Sequence, residues 1–205
     1  MKYAKALSLA VVAAVALMAF IGASTASATA LYSGETKLGV GSEIDASLPS
    51  GKSIVLVDPG GEELDRCSSS TLKGTLENAG GSTATVKKKA NTTTWGSCSF
   101  PTTTTTLGGL EFHWIPGTWN ATVTWTGFSI TVNTIFFGSC VYGVESTPTH
   151  LGTFEGKKVA WEIAKLLISI WLKKKLGSNL GCPSEAKLIG EYSVTSPTGL
   201  YAAES

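Results

Sequence analysis

The sequence predicts an all-β fold, either an antiparallel β-sandwich or a barrel-like meander, and three observations carry that prediction. Apolar and polar residues alternate with period two through the centre of the chain. Threonine, whose branched β-carbon suits a pleated strand, is concentrated in the same region, with an unbroken run from Thr102 to Thr106. Four cysteines, Cys67, Cys98, Cys140 and Cys182, follow an export-type leader, as in small domains stabilised by disulfides.

The leader comes first. Lys2 and Lys5 precede an uncharged apolar run from Ala6 to Ala23, and Ala26-Ser27-Ala28 fits the small-x-small rule for signal peptidase. Residues 1–28 therefore read as a cleaved signal peptide, with a retained membrane anchor as the alternative. Residues 29–205 have the length of one domain. Without Lys2 and Lys5 they hold 14 basic against 15 acidic side chains, and Arg66 is the sole arginine. Such balance over the domain as a whole gives no electrostatic grip on nucleic acid or anionic lipid, and nucleic acid, which would call for arginines, is set aside as a partner.

Beyond the leader, Ser53 to Val57 is an apolar run closed by the turn residues Asp58-Pro59-Gly60-Gly61. Thr71 to Glu77 and Thr83 to Lys87 flank Gly80-Gly81 as the arms of a hairpin. The clearest signal runs from Leu110 to Asn133. Leu110, Phe112 and Trp114 share one parity, followed by Trp119, Ala121, Val123 and Trp125, then Phe128, Ile130 and Val132. Three period-two runs separated by Pro116-Gly117 and Gly127 predict an antiparallel meander with one buried face.

Residues 159–175 resist that reading. Between Val159 and Leu172 the polar residues are Glu162, Lys165 and Ser169, spaced three and four apart as on an amphipathic helix. Lys173, Lys174 and Lys175 sit where a helix C-terminus attracts cations, with Gly177 as a stop. Local periodicity favours a helix there.

An even cysteine count behind a leader predicts two disulfides. Three connectivities are open. Sequential pairing, Cys67–Cys98 and Cys140–Cys182, closes two local loops of moderate length and is the expected one. A four-thiolate zinc site would need close C-x-x-C pairs, which the sequence lacks.

Several segments resemble a set of secreted, actinobacterial-type proteins of unassigned activity. They are Leu38-Gly39-Val40-Gly41-Ser42-Glu43-Ile44, Leu110 to Ile115, Phe137 to Gly143, and Cys182-Pro183-Ser184-Glu185-Ala186 leading to Tyr192 to Pro197. The resemblance implies a secreted all-β domain and supplies no catalytic residues. It also implies a strand at Ala160 to Leu166, covered on both faces with Trp161 in the core. That strand is the expectation, and a helix over 159–175 is the alternative.

Candidate chemistry is sparse. Glu111 and His113 project from one strand face two residues apart, the beginning of a metal site or an acid–base pair, or simply a solvated face. Ser139 in Gly138-Ser139-Cys140 lacks the context of a nucleophile elbow. Asp45, Asp58, Glu62, Glu63 and Asp65 lack the spacing of a calcium loop. No catalytic residue, metal or cofactor is assigned. Six tryptophans offer either core or a glycan-binding face, with Asn120 and Thr122 as polar partners. The expected function is that of a secreted or cell-surface non-enzymatic β protein, binding or structural, with possible cell-wall or glycan contact. The alternatives are an extracellular hydrolase built on Ser139 or Glu111 and His113, and a membrane-active protein inserting 159–175 as an interfacial helix.

Overall fold

The computed structural model describes residues 28–81, 83–88 and 93–205, so the leader lies outside the described residues. The described chain is all-β and antiparallel, and contains no helix.

Eight strands close into a first barrel by ladder hydrogen bonds. In order around the ring they are β3 (Glu43–Ser47), β5 (Glu63–Leu76), β6 (Ala84–Lys88), β9 (Gly109–Trp114), β10 (Ala121–Thr126), β13 (Thr149–Glu155), β14 (Lys165–Lys174) and β15 (Glu185–Ser196), which returns to β3. A second ring uses the other halves of the long strands β5, β14 and β15. It adds β4 (Ile54–Val57), β7 (Thr94–Cys98), β8 (Thr102–Thr106), β11 (Ser129–Thr134) and β12 (Gly138–Gly143). Every neighbouring pair of this ring is laddered except β7 and β8. A small sheet of β1 (Thr29–Ser33), β2 (Thr36–Lys37) and β16 (Leu200–Glu204) completes the fold.

Sharing strands between two barrels explains the loose pattern seen on β5. Its buried side chains are Leu64, Asp65, Cys67, Ser70, Leu72 and Leu76; Asp65 and Cys67 face the interior of the second barrel and Leu72 that of the first, so the inward parity changes along one strand. Near that passage the buried Tyr192 hydroxyl donates to Ser70 Oγ at 2.8 Å, and the Ser70 hydroxyl donates to the Thr94 carbonyl at 2.7 Å. A cavity of about 30 Å³ remains inside the first barrel, lined by Ile44, Leu72, Leu110, Phe112, Phe154 and Leu166 among others. Such an apolar void stays dry and reads as imperfect packing.

The hairpins after Val57 and across Gly80-Gly81 form as the turn chemistry predicts. The meander does not extend to three strands. β9 and β10 pair as a hairpin, but β10 then pairs β13, while β11 pairs β8 and β12. The chain leaves the first barrel at Gly127, where φ is +61°, a conformation that favours glycine. Trp125 and Phe128, on either side of this turn, stack at 3.6 Å and are almost fully buried. Period-two alternation establishes strand identity but not which strands pair, because both arms bury one face in either topology.

Residues 159–175 require two corrections. No helix forms, and the strand begins at Lys165, beyond most of the expected Ala160–Leu166. Leu166, Ile168, Ile170 and Leu172 point inward, while Ser169, Trp171 and Lys173 are exposed. Only one face is covered. Trp161 lies in the preceding turn and is 86 % exposed, so it is not a core residue. The helical spacing of Glu162, Lys165 and Ser169 is incidental, since β14 is laddered to β15 along nine residue pairs and tertiary pairing overrides local pattern.

Both disulfides are present as expected, Cys67–Cys98 and Cys140–Cys182, and no described cysteine is free. They staple β5 to β7 and β12 to the loop before β15. Two such bridges are consistent with an oxidising, extracellular setting.

Tyr142 is fully buried, and its hydroxyl has no hydrogen-bond partner. Burial, reinforced by Asp58, pushes its pKa up to about 12. Burial also raises Tyr192 and Tyr201. An unfolded tyrosine ionises near pH ~10, so above that pH the unfolded chain releases protons that the folded chain keeps. Stability is therefore expected to be intact below about pH 10 and to fall as pH rises toward 12, by on the order of 2 kcal/mol for Tyr142. Urea midpoints across this range check it. Tyr142→Phe should flatten the decline, and at neutral pH should be neutral or stabilising, because it removes an unpaired hydroxyl.

Candidate functional site

The one break in the second ring lies between β7 and β8. Both strands are laddered on a single side, β7 to β5 and β8 to β11, and their other edges face each other. The connection between them is tied down at several points. Cys98 is bonded to Cys67, and the Ser99 N–H donates to the Arg66 carbonyl at 2.9 Å. The buried Asp65 carboxylate accepts from the Phe100 N–H at 3.0 Å and from the Thr102 hydroxyl. An inward carboxylate with two donors is a satisfied structural anchor rather than a free acid.

Above this anchor lies an open cleft of about 370 Å³, lined by Thr93, Trp95, Thr102 to Thr105 and Leu107. Among the described residues no charged side chain lines it. Trp95 is half-buried, and its indole N–H donates across the cleft to Thr104 Oγ1 at 2.7 Å. Thr103 and Thr105 are exposed, and Thr105 shares a hydroxyl–hydroxyl bond of 2.8 Å with Thr131. The Thr93 hydroxyl oxygen is buried and has no partner. An uncharged groove with one aromatic residue and a row of hydroxyls can satisfy a neutral, hydroxyl-rich ligand, which supplies both donors and apolar ring faces.

The cleft was only partly legible. Trp95 stood among six tryptophans, and the Thr102–Thr106 run signalled strand preference without indicating that it borders an opening. No sequence signal marks an absent ladder.

Glu111 and His113 do share the outer face of β9, with Oε2 and Nε2 4.0 Å apart. That separation is too long for a hydrogen bond. Both side chains are partly exposed, and the histidine Nε2 has no hydrogen-bond partner. Ser139 lies on β12, and no hydrogen bond joins it to His113 or His150 among the described residues. The described residues bring one trio of potential metal ligands together, Asp65, Cys67 and Cys98, and there both sulfurs are consumed by the disulfide. The acidic residues considered for calcium separate. Asp45 pairs with Lys73, Glu63 with Arg66, and Asp58 accepts the Glu62 N–H within its own turn.

The tryptophans considered for a glycan face divide as well. Trp125 is core, whereas Trp114 is half-buried, with its indole donating to the Thr118 carbonyl at 2.7 Å. Trp119 falls outside β10 and is 47 % exposed, edge-on to Tyr201 and beneath Lys158. Asn120 Oδ1 accepts the Gly156 N–H at 3.1 Å, which gives that side chain a structural role in holding the loop after β13.

Comparison of this chain with protein-family models, curated proteins and solved structures gave no match.

Proposed function

We propose that this chain is an exported, non-enzymatic binding protein whose β7–β8 cleft takes a neutral, hydroxyl-rich ligand, a glycan of the cell surface or its surroundings. The observation that carries the reading is the cleft itself. It is an opening in an otherwise laddered ring, uncharged among the described residues, with Trp95 on one side and threonine hydroxyls on the other. Export is supported by the leader-like N-terminus, by the two disulfides and by the resemblance to secreted bacterial proteins. The non-enzymatic reading is supported by the cleft lining, which among the described residues contains no acid, base or thiol.

Neutral oligosaccharides presented on an array test the proposal. Wild type is expected to bind a subset of them. Trp95→Ala should weaken binding at least about tenfold, since an aromatic side chain is typically the largest single contact in such a site. A urea midpoint checks that the variant stays folded, because Trp95 also packs against the core. Thr103→Val, at an exposed position, keeps the fold and removes one hydroxyl, and should weaken the same glycans by a smaller factor. Binding that both variants leave unchanged would place recognition elsewhere.

A further inference from the structure

The end of the second barrel carries an unusual pair of loops. The β11–β12 turn consists of Ile135, Phe136 and Phe137, where turns ordinarily use glycine, asparagine, aspartate or proline. Ile135 is 81 % exposed and Phe136 85 %. The loop after β14 presents Leu176 and Leu180, at 100 % and 99 %. These loops are held together. The Asn179 N–H donates to the Ser139 carbonyl at 2.9 Å, the Ser178 hydroxyl to the Val141 carbonyl at 2.9 Å, and Cys182 is bonded to Cys140. Four bulky apolar side chains thus protrude from one stapled tip.

Behind the tip comes a cationic layer. Lys173, Lys174 and Lys175 immediately precede Leu176, and one step further back Lys187 lies over the half-exposed ring of Trp171 at 5.7 Å. Glu145, Glu185 and Asp58 lie near this layer and offset part of its charge, Glu145 by pairing with Lys175. Lys174 Nζ donates to the Cys182 carbonyl at 3.1 Å and Glu185 stands opposite Lys173, so four lysines against three acids leave one net positive charge. Along β14 Lys173 stands nearer the tip than Trp171, and the chain turns at Leu176. An apolar tip backed by lysines is an order that an anionic bilayer accommodates, since apolar groups enter by ~5–10 Å while lysines reach the phosphates. Protruding side chains also suit a fluid surface, whereas a folded partner would need a matching pocket for each.

We infer that this tip inserts into an anionic lipid surface. The route differs from the interfacial helix weighed above, which does not form, and it does not depend on ligand binding in the β7–β8 cleft. The test is co-sedimentation of the purified, disulfide-intact protein with phosphatidylcholine vesicles, with and without phosphatidylglycerol. Wild type is expected to bind, more strongly with phosphatidylglycerol. Phe136→Asp with Leu180→Asp, both at exposed positions, should lower partitioning at least about tenfold. Lys173→Glu should lower it about fivefold on anionic vesicles and little on neutral ones. Failure of wild type to bind either vesicle, or undiminished binding by the double aspartate variant, would overturn the inference. So would concentration-dependent self-association that the double variant abolishes without any vesicle binding, because it would make the tip a contact between copies of this chain.

Discussion

Trp125→Ala is expected to destabilise the protein by about 3–5 kcal/mol, the range for removing a large buried aromatic. The indole is almost wholly buried at the turn that passes the chain from one barrel to the other. It stacks on Phe128 at 3.6 Å, and its N–H donates to the Leu107 carbonyl at 3.3 Å. Alanine therefore loses apolar burial, opens a cavity and leaves a carbonyl acceptor unpaired. Trp161→Ala is the matched control. That ring is exposed, and its loss should change stability by less than about 0.5 kcal/mol. Urea midpoints of the two variants, with unchanged slope, decide the matter. A large loss at Trp161 would restore the packed strand that the sequence resemblance implied.

The second large effect is expected from the bridge between Cys140 and Cys182. Replacing both by serine should cost about 4 kcal/mol on the chain-entropy model, since the bridge closes a loop with a sequence separation of 42. The bridge also ties the β11–β12 hairpin to the loop before β15, and hydrogen exchange should consequently speed up in both segments. Removing Cys67–Cys98, with a separation of 31, should cost a similar amount, with faster exchange confined to β7 and its connection to β8. Equal loosening of both ends by either change would contradict this division.

How far the sequence anticipates the structure depends on the kind of information each residue holds. Alternation through Leu110–Trp114 and Ala121–Trp125 is local, and the hairpin it predicts is present. Alternation through Phe128–Asn133 is equally clear, yet those residues belong to the second barrel, because nothing local specifies a partner strand. On β14, Leu167 and Trp171 stand on the outer face and blur the period-two signal, so a helical spacing competed with it. The disulfides were legible because an even cysteine count and modest loop lengths leave few sensible pairings. The cleft was not, since it arises from a missing ladder between two edges and from a tryptophan whose neighbours are set by tertiary pairing. The exposed tip was hidden for a related reason. Ile135 and Phe136 directly follow the alternating run, and no turn-forming residue marks the place where the chain reverses.

Titration of the isotope-labelled protein with neutral oligosaccharides, followed through the Trp95 indole N–H and the backbone amides of residues 93–107, tests the central claim most directly. Saturable shifts centred on Trp95 and Thr103 to Thr105 are expected, with the Trp119 indole unmoved and the response lost in Trp95→Ala. Saturable shifts confined to the Trp119 and Tyr201 face, with Trp95 silent, would contradict it.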